Sequence, residues 1–120
     1  MIDQYHRSEV ICLVNRLAEL AERVGFKSWE VETLISVRHG VWPLSASRCE
    51  MWWPTEVQAQ RIRALVEVCA GAVAMMGHDA AKWLRRRNVG LGQSPIGFLL
   101  SRANGLAEMH DLLLREAGQC

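Results

Sequence analysis

The apolar positions near the start of the chain repeat with the spacing of an α-helix. They fall at i, i+3, i+4, i+7, i+11 and i+14, which places them on one face of a long helix. These positions are Val10, Leu13, Val14, Leu17, Ala21 and Val24. Gly25 follows this stripe and is placed to end the helix, because glycine readily adopts the left-handed conformation of a helix C-terminus.

A second, shorter helix is predicted over residues 28–38. Ser28 is a residue type that caps helices, and Gly40 follows His39 at a position that closes the helix. Glu30 and Glu32 lie in its first turns, where the helix dipole favours anions. The inward positions of this helix are aliphatic: Val31, Leu34 and Ile35.

Pro54 marks a mild change in composition and divides the chain into an N-terminal region, 1–54, and a C-terminal region, 55–120. The segment 41–54 is irregular and rich in tryptophan and proline. Thr55 and Gln58 then form a capping box, which starts a long helix that Gly77 ends. The apolar stripe of that helix consists of Ile62, Leu65, Val66, Cys69, Val73 and Met76.

Three further helices are predicted in the remainder of the chain. The first is capped by Asp79 and extends to Arg87; a loop with two glycines follows at 88–93. Ser94 and Pro95 start the next helix, which ends near Arg102, and Asn104-Gly105 forms the turn after it. The last helix covers 106–117, with Leu106, Met109 and Leu113 on one side. No segment alternates at period two, so we expect an all-α fold, a small bundle of five to seven helices.

Composition is consistent with one compact, intracellular protein. The chain has 120 residues, and 50% of them are hydrophobic, which excludes a disordered chain. Its net charge of +1 argues against a dedicated nucleic-acid domain, because such domains are usually more basic. The apolar run at 68–76 is too short to span a bilayer, and no signal peptide is expected. Cys12 and Cys69 are expected on the apolar faces of their helices, where a free cysteine behaves as a small hydrophobic residue. Four cysteines without a CxxC pair indicate reduced thiols and a cytoplasmic location, and no metal-ligand spacing is present.

The N-terminal region has the spacing of a degenerate helix-turn-helix. Ala21, Gly25, Val31 and Leu34 match the small residue, the turn and the two packing aliphatics of that motif. The recognition helix would then expose Lys27, Ser28, Trp29, Glu30, Glu32, Thr33, Ser36 and Arg38. Two glutamates on this face would repel phosphate, so weak or absent DNA binding is expected.

A second register places the recognition helix at 45–53, where Ser45, Ser47, Arg48 and Glu50 would be exposed. A plain helical hairpin explains both patterns equally well. The candidate DNA contacts from the two registers are Lys27, Ser28, Thr33, Arg38, Ser47 and Arg48.

The most specific pattern lies in the C-terminal half. An alanine precedes a Trp-Leu pair, and an asparagine, a Leu-Gly loop, a Ser-Pro helix start, a Leu-Leu pair and a later glycine follow. The positions are Ala80, Trp83, Leu84, Asn88, Leu91, Gly92, Ser94, Pro95, Leu99, Leu100 and Gly105. This stretch, about 56–118, resembles the toxin-binding domain of the Xre/MbcA/ParS type of antitoxin. Arg87 departs from the family pattern, which has proline before the asparagine.

The resemblance implies a function and a set of contact residues. Antitoxins of this family neutralise RES-domain toxins, which consume NAD, by direct binding, with the C-terminal end blocking the NAD cleft, and they pair as homodimers. The Trp-rich segment at 41–54 is expected to expose apolar surface, which also predicts a homodimer. The toxin contacts implied here are Trp83, Arg86, Asn88, Leu91, Gly92, Ser94, Pro95, Leu112, Arg115 and Cys120.

The alternative function is a free-standing helix-turn-helix transcriptional regulator without a toxin partner. An enzyme is not expected, because the titratable neighbours His78-Asp79 and His110-Asp111 point in different directions on a helix. No catalytic residues, cofactor, metal or membrane partner are therefore predicted.

Overall fold

The computed structural model describes residues 4–38, 40, 42 and 54–118, with side chains from residue 9 to residue 116 in those ranges. It is an all-α bundle, as the sequence predicts. In this part of the chain there are six α-helices and one 3-10 turn, and no segment forms a β-strand. The helices are α1 (Gln4–Val24), α2 (Ser28–Ile35), α3 (Glu56–Met76), α4 (Ala80–Arg85), α5 (Pro95–Ser101) and α6 (Gly105–Gly118); the 3-10 turn Gly77–Asp79 joins α3 to α4.

Helix α1 buries the predicted stripe and ends where the sequence predicts. Val14, Leu17 and Val24 are at most 1% exposed. Gly25 has φ +87°, its N–H donates to the carbonyl of Glu22, and the next N–H reaches back to Ala21. Because these bonds satisfy the last carbonyls of the helix, the chain turns sharply into α2. Cys12, which the sequence places on the apolar stripe, is exposed instead.

Helix α2 differs from the prediction at both ends. It begins after Lys27 rather than after a Ser28 cap, and the Glu30 carboxylate accepts from the Lys27 backbone N–H at 2.7 Å. It ends at Ile35, because Ser36 adopts the left-handed conformation with φ +62° and its N–H bonds back to the helix. The predicted end at His39-Gly40 is therefore wrong by several residues; a short polar residue ends this helix although glycine favours that conformation.

Helix α3 forms the centre of the bundle. Thr55 Oγ1 accepts from the Gln58 N–H at 3.1 Å and the Gln58 side chain accepts from the Thr55 N–H at 2.9 Å, which confirms the predicted capping box. The helix packs most extensively against α1 and α6, and Leu65, Cys69 and Ala72 are fully buried. The segment 56–85 is long and apolar enough to cross a membrane, but a core helix of a globular bundle has the same composition, so this is weak evidence.

Helix α6 runs beside α3 in the same direction. His110 Nε2 lies 2.9 Å from Glu67 Oε2, and Leu113 lies against Gly71 one turn further along both helices. Gly118, the last residue of α6, is therefore at about the same height as Met76, the last residue of α3. The C-terminal end of α6 thus lies at the end of the bundle at which α3 turns into α4.

Helices α4 and α5 are short, and two predicted details of α4 are wrong. Asp79 occupies its N-cap position without a side-chain cap bond, because residues 77–79 form a 3-10 turn, and the helix ends at Arg85 rather than at Arg87. Helix α5 begins as predicted: Ser94 Oγ accepts from the Gly97 N–H at 3.2 Å, and Pro95 is the first helical residue.

Gly105 is expected to be essential for the contact between α5 and α6. A Cβ at this position would lie 2.9 Å from the Leu99 carbonyl oxygen and 3.0 Å from its Cα, both of which are backbone atoms. Gly105→Ala should therefore lower the free energy of unfolding by about 2 kcal/mol in chemical denaturation, as overpacking does. Gly71→Ala is the matched control, because a Cβ there meets only the flexible Leu113 side chain at 3.4 Å. Equal stability of the two variants would contradict this expectation.

The segment that the sequence marks as irregular lies mostly outside the described residues. Of its tryptophans, only Trp42 is described; it is 7% exposed, and its backbone N–H donates to Glu32 Oε2 at 3.0 Å. Trp42 therefore does not supply the exposed apolar surface from which a homodimer was expected. The second helix-turn-helix register, with Ser45, Ser47 and Arg48, also lies outside the described residues.

Candidate functional site

The C-terminal half forms a cleft of about 390 Å³ beside α4. Its lining residues come from the end of α3, from the 3-10 turn, from α4 and from the start of the loop: Met76, Asp79, Lys82, Trp83, Arg86, Arg87 and Asn88. We call this surface the basic cleft, because three of these side chains are cationic and one is anionic. Three of the residues that the resemblance implies as toxin contacts are brought together here, namely Trp83, Arg86 and Asn88.

The three consecutive arginines at the end of α4 divide into one structural residue and two surface residues. Arg85 donates from Nη2 and Nη1 to the two carboxylate oxygens of Glu30, at 2.6 and 2.9 Å, and also to the Gly25 carbonyl at 2.6 Å. Glu30 is only 2% exposed. Arg85 therefore fastens α4 to the turn between α1 and α2, and its charge is compensated within the fold.

The Glu30 carboxylate is held in its charged form by this arrangement. Burial alone would raise its pKa, but the hydrogen bonds from Arg85 and from the Lys27 backbone, with the nearby positive charges, outweigh burial and lower the pKa below the ordinary value of 4.5. The pKa of Arg85 is raised, chiefly by the hydrogen bond with Glu30. The pair is thus ionised throughout the physiological pH range.

Arg86 and Arg87 remain exposed at the mouth of the basic cleft, together with Lys82. Within the described part of the chain, no ion pair includes any of these three side chains. The Arg86 backbone N–H donates to the Lys82 carbonyl, so the backbone that carries these arginines is fixed by the end of α4. The cleft therefore presents two guanidinium groups and an ammonium group from an ordered helix terminus.

The loop at 88–93 is closed by its own hydrogen bonds. The Asn88 N–H donates to the Gln93 carbonyl at 3.0 Å, and Asn88 Oδ1 accepts from the Gly90 N–H at 2.9 Å. Gly92 has φ +75°, and its N–H donates to the Asn88 carbonyl. Val89, at the tip of the loop, is 95% exposed. This loop therefore presents an apolar side chain on a backbone that needs little further ordering.

The other implied toxin contacts have different places in the structure. Gly92 and Arg115 are exposed, whereas Leu91 and Leu112 are half-buried against the core. The Ser94 hydroxyl is used in the cap of α5. Pro95 is buried, so it orders the helix and does not present surface to a partner. Cys120 lies outside the described residues.

The candidate DNA-binding face of α2 is less acidic than the sequence indicates. Glu30 and Glu32 are each 2% exposed, bound to Arg85 and to the Trp42 N–H respectively, so their predicted place on the exposed face is wrong. The side chains that are exposed on this part of the chain are Lys27, Ser28, Trp29, Thr33, Ser36 and Arg38. The four helix-turn-helix positions behave as packing requires: Ala21, Val31 and Leu34 are buried and Gly25 turns the chain.

A second cleft and a buried cysteine are weaker candidates for a functional site. A cleft of about 310 Å³ lies between the first turns of α3 and α6, and its one charged side chain, Arg61, already donates to the Leu34 carbonyl at 3.3 Å. In the described ranges, no group of three His, Cys, Asp or Glu residues could hold a metal ion. The buried Cys69 thiol has its pKa raised by desolvation to about 12, so it stays protonated and unreactive.

The sequence missed two properties of this site. Nothing in the spacing links Glu30 to Arg85, because the two residues are 55 positions apart and meet only in the tertiary structure. Similarly, the sequence predicts Met76 at the end of one helix and Asp79 as the cap of the next. Their position in the cleft depends on the angle at which α4 leaves α3. The sequence signals that pointed to this site were the motif, which includes Trp83 and Asn88, and the run of positive charge at 85–87.

Comparison with protein-family models gives no match, and comparison with curated proteins gives no significant match. The likeness to toxin-binding domains therefore rests on the sequence motif.

Proposed function

We propose that this protein is an antitoxin of a type II toxin–antitoxin system, acts in the cytoplasm, and neutralises a RES-domain toxin by direct binding that blocks the toxin's NAD site. The protein then works by occupying a surface and carries out no reaction of its own. The observation that carries this proposal is that two residues of the sequence motif, Trp83 and Asn88, line the basic cleft beside the closed loop.

The residues of the motif have two roles in this proposal. Ala80, Leu84 and Leu99 are at most 2% exposed, so they build the C-terminal half. Trp83 and Asn88 line the basic cleft, next to the closed loop with Val89 at its tip. Tryptophan and arginine are the residue types that most often dominate protein–protein binding, and a preordered loop lowers the entropic cost of association.

The direction of α6 supports a joint surface. Because α6 runs parallel to α3, its C-terminal end extends from the same end of the bundle as Met76 and Asp79, which line the basic cleft. A toxin that contacts the cleft can thus meet the last turn of α6, including the exposed Leu114 and Arg115.

Co-purification is the direct test. The full chain, carrying an affinity tag, is co-expressed with a RES-domain protein encoded by the neighbouring reading frame, and growth and complex formation are measured. We expect a stable complex and restored growth. The proposal would be contradicted if the RES-domain protein is expressed and this protein is folded, yet the two do not form a complex and growth is not restored.

A DNA-binding regulator is the second candidate, and burial of Glu30 and Glu32 favours it more than the sequence does. With only Lys27 and Arg38 as cations on the exposed face, we still expect weak binding by the isolated chain. Fluorescence anisotropy with duplex DNA from its own promoter region, at about 0.15 M salt, should give no nanomolar affinity. Nanomolar binding that Lys27→Glu abolishes would establish the regulator and overturn this expectation.

A further inference from the structure

The chemistry of the basic cleft narrows the kind of partner segment that it can bind. Lys82, Arg86 and Arg87 give its rim a positive charge that nothing in the described part of the fold compensates apart from Asp79. Arg85, which the sequence would count with them, is committed to Glu30. The rim therefore favours a ligand with more than one negative charge.

The inner wall of the same cleft is apolar. Trp83 and Met76 are both half-buried and packed against the core, so each leaves part of its side chain facing the cleft. Next to the cleft, the loop presents Val89 almost fully exposed. A ligand that matches this surface carries apolar groups between its negative charges, because apolar area is buried only where the ligand is itself apolar.

These two features favour a protein segment over a nucleic acid. A phosphate backbone is continuously charged, and along this surface it would pass the Asp79 carboxylate and the apolar Val89 side chain. A peptide can place acidic and apolar side chains separately and avoid both conflicts. Arginine also binds a carboxylate with two parallel hydrogen bonds, which gives such a contact direction as well as charge.

We propose that the basic cleft binds a segment of a partner protein in which aspartate or glutamate side chains flank a large apolar side chain. The apolar side chain packs on Trp83, and the carboxylates pair with Arg86 and Arg87. This inference rests on the proposed function only in taking the toxin as the natural source of the segment; the chemistry of the cleft can be tested without the toxin.

The probe is an acetylated, amidated peptide of alternating glutamate and leucine, added to the isotope-labelled full chain and followed by NMR. The Trp83 indole signal is assigned with Trp83→Phe. We expect saturable shifts at Trp83 and at the backbone of Arg86, and binding about tenfold weaker in R86E/R87E, as the loss of two exposed ion pairs allows. The matched variant R16E/R63E, which changes two exposed arginines outside the cleft, should bind the peptide as the wild type does.

Three results would overturn the proposal. They are equal binding of a peptide with glutamine in place of glutamate, unchanged binding by R86E/R87E, and shifts at Trp83 with a 20-base-pair DNA duplex but not with the peptide. If R86E/R87E does not fold, the single variants R86Q and R87Q answer the same question.

The toxin complex separates this inference from the proposed function. If the peptide binds but no toxin complex forms, the proposed ligand of the cleft is supported and the antitoxin function is contradicted. If R86E/R87E forms the toxin complex as tightly as the wild type and the peptide does not bind the wild type, the antitoxin function is supported and the proposed ligand of the cleft is contradicted.

Discussion

Arg85→Ala is expected to lower the free energy of unfolding by about 3 kcal/mol, which is the low end of the cost of breaking a buried ion pair. The substitution leaves the Glu30 carboxylate buried at 2% exposure with only the Lys27 N–H as a described hydrogen-bond partner. The cost is at the low end because the Arg85 side chain is 38% exposed, so water can partly replace it. Urea denaturation at pH 7 measures the loss.

Arg86→Ala is the matched control for this prediction. It removes the same kind of side chain from the next position, but Arg86 is exposed and forms no ion pair in the described part of the chain. Its effect should stay within about 0.5 kcal/mol, as is usual for surface positions. Equal losses in the two variants would show that Glu30 does not depend on Arg85.

The pH dependence of the same variant follows from the pKa of Glu30. In the wild type this pKa is below 4.5, so the ion pair's contribution is complete above that pH and is lost as the pH falls through the lowered pKa. In Arg85→Ala the main stabilising hydrogen bonds are gone, and burial raises the pKa of Glu30. Protonation then favours the folded variant, so the stability gap to the wild type should narrow as the pH falls from 7 to about 4. A gap that widens on acidification would contradict this account.

The helices themselves could be predicted from the sequence because each depends on local rules. The stripe of α1, the Thr55–Gln58 box and the Ser94-Pro95 start involve residues within one or two turns of each other, and all three are confirmed. The end of α2 was missed because Ser36 adopts a conformation that glycine usually supplies. Its carbonyl accepts from the Gln58 side chain at 2.8 Å, a contact across 22 positions that no local rule contains.

The site could be predicted only in part, for a related reason. The sequence treats Glu30 and Glu32 as exposed, because glutamate is seldom buried without a partner. Their partners are Arg85, 55 positions away, and the Trp42 N–H, and both depend on how distant segments pack. Trp83 and Arg86 were found because the motif and the charge run mark them directly, whereas Lys82, Met76 and Asp79 enter the cleft through tertiary structure alone.

Truncation after Leu114 is expected to abolish neutralisation of the toxin while leaving the fold intact. The removed residues, 115–120, include the last turn of α6, whereas Met109 and Leu113, which are 0% and 4% exposed and hold α6 to the bundle, remain. The loss of Arg115 from the last turn removes a favourable interaction with the helix dipole of about 0.5 kcal/mol, too little to unfold the domain. A thermal melt checks the fold, and growth with co-expressed toxin measures neutralisation.

A second truncation, after Gly118, is the matched control, because it keeps the whole of α6 and removes only Gln119 and Cys120. Loss of neutralisation in the Leu114 truncation alone assigns the block to the last turn of α6, whereas loss in both assigns it to the two terminal residues. If the Leu114 truncation melts like the full chain and still neutralises the toxin at a stoichiometric dose, the tail does not enter the toxin's NAD site. The basic cleft, which lies at the same end of the bundle, and the loop next to it would then have to block the toxin without the tail.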